Sequence, residues 1–395
     1  MKSVRTLKLN DACVVKGQYG SGASAVQDSK GKPRYIRITD ITDEGTLKNQ
    51  IVYPSTDEKD WKDCLLEDGD ILFARSGATA EKTFRYKAEQ GACVFAGYLI
   101  RFKPDRKILN PDYLYYFTRS AFYKAWVERK KKVVAQPNIN AQQYGKELEI
   151  PILPLSDQVS VVEKLQRIEA LILKRRQTIA LQDEFLKAVF VEMFGEPVGN
   201  VKGWPVVKLG TCASLVSSGS TPLGGEAAYF KQGIQFIRSQ NVLMNKLDLS
   251  DVVFIDEATY KKMNRTWVRS NDVLLNITGA SIGRVAVYRS DKLANVNQHV
   301  CIIRTDETQL RPEYLAFLIS MPKYQKKFVS GNSGATRQAL NFEQIKAFKV
   351  PKPPMGLQDK FVSVLKSVET MSVKMRSSET ELQKLFGAVM QGVFG

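Results

Sequence analysis

The chain repeats itself at a nearly constant offset of 200 to 202 residues. Segment 69–78 recurs at 271–280, and the proline-rich segment 150–158 recurs at 350–358, in the same order along the whole chain. Chance similarity would not keep one order and one register over this length. Internal repeats constrain the fold more than any other sequence feature. The sequence therefore predicts two tandem units that divide near residue 200.

Each unit begins with a mixed section of about 150 residues, a size typical of one domain. Short apolar runs bounded by Gly, Asp and Asn, such as 70–74 and 300–303, predict buried strands. A single helix is predicted at 111–131 in the first unit and at 312–329 in the second, each with proline at its first position. A proline-rich segment then leads into a long terminal helix.

The two terminal helices carry apolar residues at alternating spacings of three and four, as in a coiled-coil seam. A helix of ~37 residues is ~55 Å long, which exceeds the width of one such domain, so each helix needs a partner. If a two-fold axis relates the repeats, the helices run antiparallel and Arg175 lies near Glu379. The alternative is that each helix packs only on its own domain. The predicted seam residues are Leu165, Ile168, Ile172, Ile179, Leu186, Val189, Leu365, Val368, Met375, Leu382, Phe386 and Val389.

These patterns predict an α+β fold with two tandem mixed α/β domains separated by two long helices that form an antiparallel coiled coil. The whole chain is expected to be pseudo-two-fold symmetric. The expected boundaries are 1–153 and 196–353 for the two domains, and 154–195 and 354–395 for the two helices that act as spacers.

The formal net charge is +17, from 58 Lys and Arg against 41 Asp and Glu. Such a charge points to a polyanionic partner, most commonly nucleic acid; a basic surface that is merely solvated is the alternative. The hydrophobic fraction of 44% excludes bulk disorder. No apolar run approaches the ~18 residues of a membrane span, so no membrane association is expected.

The five cysteines are widely scattered and form no C-x-x-C pair, so neither a metal site nor a disulfide framework is expected. A reducing, cytoplasmic compartment fits this usage. The single histidine, His299, has no nucleophile near it in sequence and is interpreted as a structural residue. The glycine-rich string 17–22 lacks the strand–loop–helix context of a nucleotide loop. We therefore expect no cofactor, no metal and no catalytic residue.

Three segments in each unit combine cations, amides or hydroxyls with residues that permit close backbone approach. Lys and Arg neutralise phosphates, while Asn, Gln, Ser and Arg read base edges. Ordinary surface loops are the alternative for any one segment. The predicted DNA-binding residues of the first unit are Lys30, Lys32, Arg34, Arg75, Ser76, Lys82, Arg85, Lys130, Lys131, Lys132, Gln136 and Asn138. Those of the second are Ser218, Ser220, Thr221, Lys231, Asn276, Thr278, Arg284, Lys327, Asn332, Ser333, Thr336 and Arg337.

Two tandem repeats whose proline-rich segments enter long helices resemble the DNA-specificity (S) subunit of type I restriction–modification systems. The matching strings are Leu340-Asn341 leading to 350–354 and Gln358, with Ile139-Asn140 leading to 150–151 and Gln158 as the first copy. Segments 219–222, 236–238, 272–280 and 333–336 resemble the target-recognition framework of that family. The resemblance covers essentially the whole chain.

The resemblance implies that each target-recognition domain reads one half of a bipartite double-stranded DNA sequence, with the helices holding the halves at a fixed separation. It also implies two methyltransferase (modification) subunits bound to the helices, and a restriction subunit that adds translocation and cleavage. The chemistry would then reside on other chains, and this chain would not be an enzyme.

Two other functions remain open from the sequence. An RNA-binding or scaffold protein with tandem basic domains would share the charge and the helices, but it predicts aromatic-rich strand platforms for stacking bases. A DNA-modifying enzyme in its own right would need a methyl-donor or nuclease motif, which the sequence does not contain.

Overall fold

The computed structural model describes residues 5–29, 31–76, 79–131, 138–222, 224–330 and 339–395, with the side chains of 327–330 excepted. The chain forms two compact units. Unit 1 comprises Met1–Arg176 and Arg376–Gly395, and unit 2 comprises Gln177–Met375. Each unit therefore contains one mixed domain, part of its own long helix and part of the other long helix.

The domain of unit 1 is built from short strands and three helices that precede its long helix. Its strands are β1 (Thr6–Lys8), β2 (Cys13–Tyr19), β3 (Ala25–Val26), β4 (Arg34–Ile36), β5 (Tyr53–Pro54), β6 (Ile71–Ala74), β7 (Thr83–Arg85), β8 (Cys93–Phe95), β9 (Leu99–Pro104) and β10 (Glu149–Pro151). Its helices are α1 (Pro111–Phe117), α2 (Ala121–Lys131), α3 (Ala141–Glu147) and the long α4 (Leu155–Phe194).

The main sheet of unit 1 is antiparallel in the order β2-β9-β6-β7. Smaller pairings are the parallel pair β4·β8 and the antiparallel pairs β1·β10 and β3·β5. The predicted strand at 70–74 is the fully buried β6, which packs Phe73 against Phe102 and Tyr144 with ring centroids 5.4 and 5.0 Å apart. The aromatic core thus lies on one face of the main sheet.

The domain of unit 2 repeats this plan with additional short strands. Its strands are β11 (Val206–Lys208), β12 (Ala213–Ser218), β13 (Ile234–Ile237), β14 (Val242–Leu243), β15 (Lys246–Leu247), β16 (Val253–Ile255), β17 (Trp267–Val268), β18 (Val273–Asn276), β19 (Val285–Val287), β20 (Ala294–Val296), β21 (Val300–Thr305) and β22 (Lys349–Pro351). Its helices are α5 (Glu257–Lys262), α6 (Pro312–Ser320), α7 (Pro322–Ser330), α8 (Phe342–Lys346) and the long α9 (Met355–Phe394). The main sheet has the order β12-β21-β18-β19, and a second sheet has the order β16-β13-β20-β17.

The prediction of a single helix at 111–131 and at 312–329 is wrong, because two helices occupy each of these segments. In unit 1 the break falls between α1 and α2, where the Ser120 hydroxyl accepts a hydrogen bond from the Tyr123 N–H at 3.2 Å. In unit 2 the break falls at Met321, directly before Pro322. Proline cannot continue a helix but suits the first position of a new one.

The two long helices run antiparallel, as the contacts inside each unit show. In unit 2, Gln182 of α4 lies 3.6 Å from the Met375 sulfur, and Phe190 packs on Phe361 with centroids 5.2 Å apart. In unit 1, the C-terminal end of α9 shares a core with the first turns of α4. The C-terminal part of α4 thus contacts the N-terminal part of α9, and the N-terminal part of α4 packs with the C-terminal part of α9. The predicted fold class, with two mixed domains and two long antiparallel helices, is confirmed.

The expected ion pair of the seam is displaced by one residue. Glu379 pairs with Arg176 at 2.7 Å, and Arg175 lies at the half-buried seam position with its Nε unpaired. The Arg176 side chain is 58% exposed, so its charge keeps much of its hydration. An ion pair at the flank of the seam avoids most of the desolvation that a pair inside the seam would incur.

All the predicted seam residues are buried or half-buried. Part of that burial comes from the domains. Leu186 and Leu365 belong to the core of unit 2, while Leu165 and Phe386 contribute to the core of unit 1. The long helices therefore pack both on each other and on the domains, which combines the two alternatives left open by the heptad pattern.

A buried glutamine fixes the start of each long helix to its own domain. The Oε1 of Gln158 accepts from the Asn110 N–H at 2.8 Å, and its Nε2 donates to the Ile108 and Leu153 carbonyls at 2.9 and 2.8 Å. Gln358 makes the equivalent bonds, including one from the Arg311 N–H at 2.9 Å. The repeated glutamine thus has a structural role.

Candidate nucleic-acid interface

Four chain segments meet at one end of the main sheet in unit 1. The Ser21 N–H donates to the Phe95 carbonyl at 2.9 Å, and the Gly97 N–H donates to Ser21 at 2.8 Å. The Arg75 N–H donates to the Tyr98 carbonyl at 3.2 Å, and Ser76 forms a β-bridge with Asn138. Three of these segments were predicted to bind DNA. The fourth, the turn at 96–98 between β8 and β9, was not predicted.

Arg75 lies at the centre of this meeting point. Its guanidinium stacks 4.8 Å from the centroid of the Tyr19 ring. Its Nε donates to the Asn138 Oδ1 at 3.1 Å, and its Nη1 donates to the Gly97 carbonyl at 3.5 Å. No acidic side chain of the described residues pairs with Arg75, so these contacts fix its orientation without compensating its charge.

The same four segments meet in unit 2, but with different side chains. The Ile277 N–H donates to the His299 carbonyl at 3.0 Å, and Thr278 forms a β-bridge with Ala339. A chain of side-chain hydrogen bonds then links Thr221 to Gln298 at 2.6 Å, Gln298 to His299 at 3.0 Å, and His299 to Thr278 at 2.7 Å. We call each of these two meeting points the loop cluster of its unit.

A glycine permits the close approach on which each loop cluster depends. A Cβ on Gly20 would lie 2.5 Å from the Ala96 carbonyl oxygen and closer still to that of Phe95. A Cβ on Gly219 would lie 2.8 Å from the Asn297 carbonyl oxygen and closer still to the Val296 carbonyl. Glycine is the residue that lets one backbone approach another this closely. In unit 1 the segment after β2 therefore packs directly on the turn at 96–98, and in unit 2 the segment after β12 packs directly on the turn at 297–299.

Several predicted DNA-binding cations of unit 1 are neutralised inside the unit. Lys82 pairs with Asp43 at 2.8 Å, Arg85 pairs with Asp112 at 2.8 Å and with Asp68 at 3.4 Å, Lys130 pairs with Glu147, and Lys131 pairs with Glu128 at 2.8 Å. The Arg85 side chain is only 11% exposed. Their acidic partners compensate the charge of these cations, and their predicted contacts with phosphate stay a prediction that requires the ion pairs to open.

Lys32 and Arg34 differ from these cations, because each bonds to carbonyl groups and not to an acid. The Lys32 Nζ donates to Pro54 at 3.1 Å, and the Arg34 Nη2 donates to Lys48 at 2.6 Å. Both lie at the half-buried edge of the small strands, and no acid of the described residues compensates their charge. The other predicted residues of unit 1, Lys30, Lys132 and Gln136, lie outside the described residues.

In unit 2, Asn276 is completely buried, and its predicted contact with DNA stays a prediction that the burial of its side chain does not favour. Its Nδ2 donates to the Ser239 carbonyl at 2.8 Å, which ties β18 to the neighbouring turn. Ser220, Thr221, Lys231 and Arg284 are exposed, and Ser218 and Thr278 are half-buried. The Lys327 side chain and residues Asn332, Ser333, Thr336 and Arg337 lie outside the described residues.

Sequence reasoning missed the aromatic and amide side chains of the two turns. Tyr19 and Tyr98 are 41% and 64% exposed in the loop cluster of unit 1, and Gln298 is exposed in that of unit 2. His299 was interpreted as a structural residue, and its ring does bond to Thr278, but it also bonds to the exposed Gln298. The constant offset between 96–98 and 297–299 was a signal that could have indicated these turns.

The described part of the chain offers little reactive chemistry. No three Cys, His, Asp or Glu side chains in it lie close enough together to hold a metal ion. All five cysteines are free and buried, and burial raises the pKa of the Cys93 and Cys301 thiols to about 11 and about 12. These thiols are therefore protonated and are weak nucleophiles at neutral pH. None of the described helices has the length and apolar character to cross a membrane.

Two like units, each with a polar loop cluster and a share of two long helices, define a protein with tandem recognition domains. Residues 1–182 and 201–383 each match the family model described as the type I restriction modification DNA specificity domain. The chain therefore belongs to the family of DNA-specificity subunits of type I restriction–modification systems.

Individual relatives agree with this family. The type I restriction enzyme MjaVIII specificity subunit of Methanocaldococcus jannaschii is 19% identical over 345 residues, which cover 83% of this chain and 79% of the relative. The crystal structure of the type I restriction–modification S subunit from M. genitalium has a TM-score of 0.59 at 12% identity and covers 100% of this chain and 97% of its own. A chain from a study of complex assembly and conformational transition of the type I R-M system has a TM-score of 0.55 at 17% identity, with 99% and 97% covered. These structural likenesses concern the fold.

Proposed function

We propose that this specificity subunit binds a bipartite double-stranded DNA target, with one half read by residues 1–153 and the other by residues 196–353. The observation that carries the proposal is the duplicated loop cluster, which the two units build from equivalent segments but with different side chains. Equivalent backbones place the clusters in equivalent positions within each unit, while Arg75 in one and Gln298 in the other give them different hydrogen-bonding groups. Such a pair suits two half-sites of different sequence.

Electrostatics supports DNA as the partner. The chain carries +17, and the charges of Lys32, Arg34 and Arg75 are not compensated by acids of the described residues. Contacts between such cations and phosphates release counterions, which gives affinity without sequence preference and makes it salt-dependent. Amide and guanidinium groups at the loop ends then supply the base contacts that specify sequence.

The chain is proposed to act as a non-catalytic reader that recruits methyltransferase subunits and a restriction subunit. The long helices, 154–195 and 354–395, are proposed as spacers and as part of the docking surface for these subunits. Large apolar side chains on them remain exposed, as expected for a surface that another protein covers. They are Leu171, Leu173 and Leu385 in unit 1, and Leu181, Phe185, Met371 and Val373 in unit 2.

A selection experiment tests the reading function. The full-length chain is mixed with a pool of duplexes whose central region is random, and the bound fraction is sequenced. We expect a motif of two short half-sites separated by a fixed gap of unread bases. Competition with single-stranded DNA and with RNA should leave the bound duplex in place. Equal competition by RNA, or a motif without two halves, would contradict the proposal.

The spacer role has its own test. Deleting one heptad from α4 together with one from α9 shortens each helix by ~10 Å, which corresponds to roughly three base pairs of B-DNA. We expect the gap in the selected motif to change while both half-sites keep their sequences. A variant with altered half-sites and an unaltered gap would contradict the spacer role.

A further inference from the structure

We propose that Gln298 determines specificity by reading an adenine in the half-site bound by unit 2. This inference rests on the proposed function, which it deepens. Gln298 is exposed on the turn between β20 and β21, where Thr221, Thr278 and Ala339 bring the three other segments of the loop cluster together. It is therefore an exposed amide at the point where four segments of unit 2 meet.

The carboxamide of Gln298 is held from both sides. The Thr221 hydroxyl donates to its Oε1 at 2.6 Å, and its Nε2 donates to the Nε2 of His299 at 3.0 Å. Because His299 accepts through Nε2, its own proton is assigned to Nδ1, from which it donates to the Thr278 hydroxyl at 2.7 Å. Thr221 and His299 are thus positioning residues that fix the plane of the amide before DNA arrives.

One donor and one acceptor of this amide are left without a partner among the described residues. A carboxamide has two N–H donors and two oxygen lone pairs, and the bonds to His299 and Thr221 occupy one of each. In the major groove, adenine presents the N7 acceptor beside the N6–H donor, which complements the free N–H and lone pair of Gln298. Guanine presents two acceptors, so one of them would face the glutamine oxygen. Because the side chain is already ordered before DNA binds, it loses less conformational entropy on binding.

The selection experiment with full-length variants tests this assignment. Gln298→Ala is expected to make one adenine position in one half-site degenerate, with a loss of roughly 5- to 150-fold in preference for adenine. Gln298→Glu, which only accepts hydrogen bonds, is expected to shift that position towards cytosine, whose N4 is a donor. Thr221→Val is expected to weaken the preference at the same position without a general loss of affinity.

The control is Gln240→Ala, which removes an exposed glutamine of the same unit that bonds to Asp251 and lies outside the loop cluster. Its motif should equal that of the wild type. A Gln298→Ala protein that retains the full adenine preference would overturn the inference and leave the proposed function intact. A wild-type chain that selects no bipartite motif would overturn the proposed function itself.

A separate observation carries a second inference, for unit 1. The geometry points to Arg75 as a reader of guanine, because Tyr19, Asn138 and Gly97 hold its guanidinium through the ring face, Nε and Nη1. Within the described part of the chain no group bonds to its Nη2 donors, and guanine is the base that presents two acceptors, O6 and N7, to an arginine fork.

Lysine at this position would keep the charge but lose the planar fork. In the same selection, Arg75→Lys is expected to make one guanine position degenerate in the half-site that Gln298→Ala leaves unchanged. Retention of that guanine preference, or loss of the position that Gln298→Ala already affects, would overturn this assignment.

Discussion

Gly219→Ala tests whether the loop cluster of unit 2 reads DNA as a preformed structure. In the wild type, Gly219 packs on the carbonyl groups of Val296 and Asn297, immediately before the turn that holds Gln298. The added methyl group would lie 2.8 Å from the Asn297 oxygen and closer still to the Val296 carbonyl. Both neighbours are backbone atoms, so a side chain cannot simply rotate away. The first loop and the turn must therefore move apart.

The magnitude follows from the nature of the clash. Forcing extra volume into a closely packed site costs ~1–3 kcal/mol. For a unit of this size, ~1 kcal/mol lowers the melting temperature by ~2–4 °C, so a decrease of about 2–12 °C is expected. The unit stays folded because its main core, with Phe190, Tyr314 and Phe361, lies on other elements. The bond from Thr221 to Gln298 should be lost when the two segments separate.

The assay combines thermal unfolding with the duplex selection. Gly219→Ala should make one half-site degenerate and preserve the other, and Gly20→Ala should do the reverse because it disrupts the cluster of unit 1. Gly22→Ala is the matched control, since a Cβ there meets nothing within 4 Å. If Gly219→Ala bound both half-sites with wild-type preference and melted at the wild-type temperature, the argument that close backbone approach builds the cluster would be refuted.

Three further predictions concern stability and charge. Gln358→Ala leaves buried backbone groups of its domain unpaired, so urea denaturation should show a free energy of unfolding lower by ~2–5 kcal/mol. Lys130→Ala with Lys131→Ala should leave the salt dependence of DNA binding unchanged because both lysines have acidic partners, whereas Arg284→Ala should reduce the slope by about 1; the reverse pattern would show that the ion pairs open on DNA. Burial raises the pKa of Asp70, so the stability that this residue contributes is present below its ordinary pKa and is lost as the pH rises through the raised value. Urea titrations across that acidic range should show this slope in the wild type and not in Asp70→Asn.

The repeated strings were predictive because they are structural. The string that begins Gly69-Asp70 recurs as Asn271-Asp272, and the first residue of each has a positive φ, 92° and 72°. Such a φ favours Gly or Asn. The following aspartate bonds back to the turn, and Asp272 also accepts from Arg304 at 2.8 and 2.7 Å. The positive φ restricts the first residue to Gly or Asn, and the buried hydrogen bonds require an aspartate at the second. The same residue types therefore recur in both repeats and can be recognised in the sequence.

The candidate site was less predictable, because the amino-acid sequence shows which residues are charged but not which of them have a partner of opposite charge. Lys82 and Arg85 have the residue type of phosphate ligands, but each pairs with an acid distant in sequence. Asn276 has the residue type of a base reader, but it lies on a central strand and is buried. Only contacts between segments far apart in the chain separate these residues from Arg75.

By itself, the sequence determined the two units, the buried strands and the two long helices, because hydrophobic spacing and turn residues act over short distances. Tertiary structure alone decided that each unit takes part of the other repeat's long helix, and that Arg176 and not Arg175 meets Glu379. It also decided that the turns at 96–98 and 297–299 join the predicted segments as a fourth element. The physical reason is that hydrogen bonds and ion pairs depend on distances of a few ångströms between segments, and those distances exist only once the cores have packed.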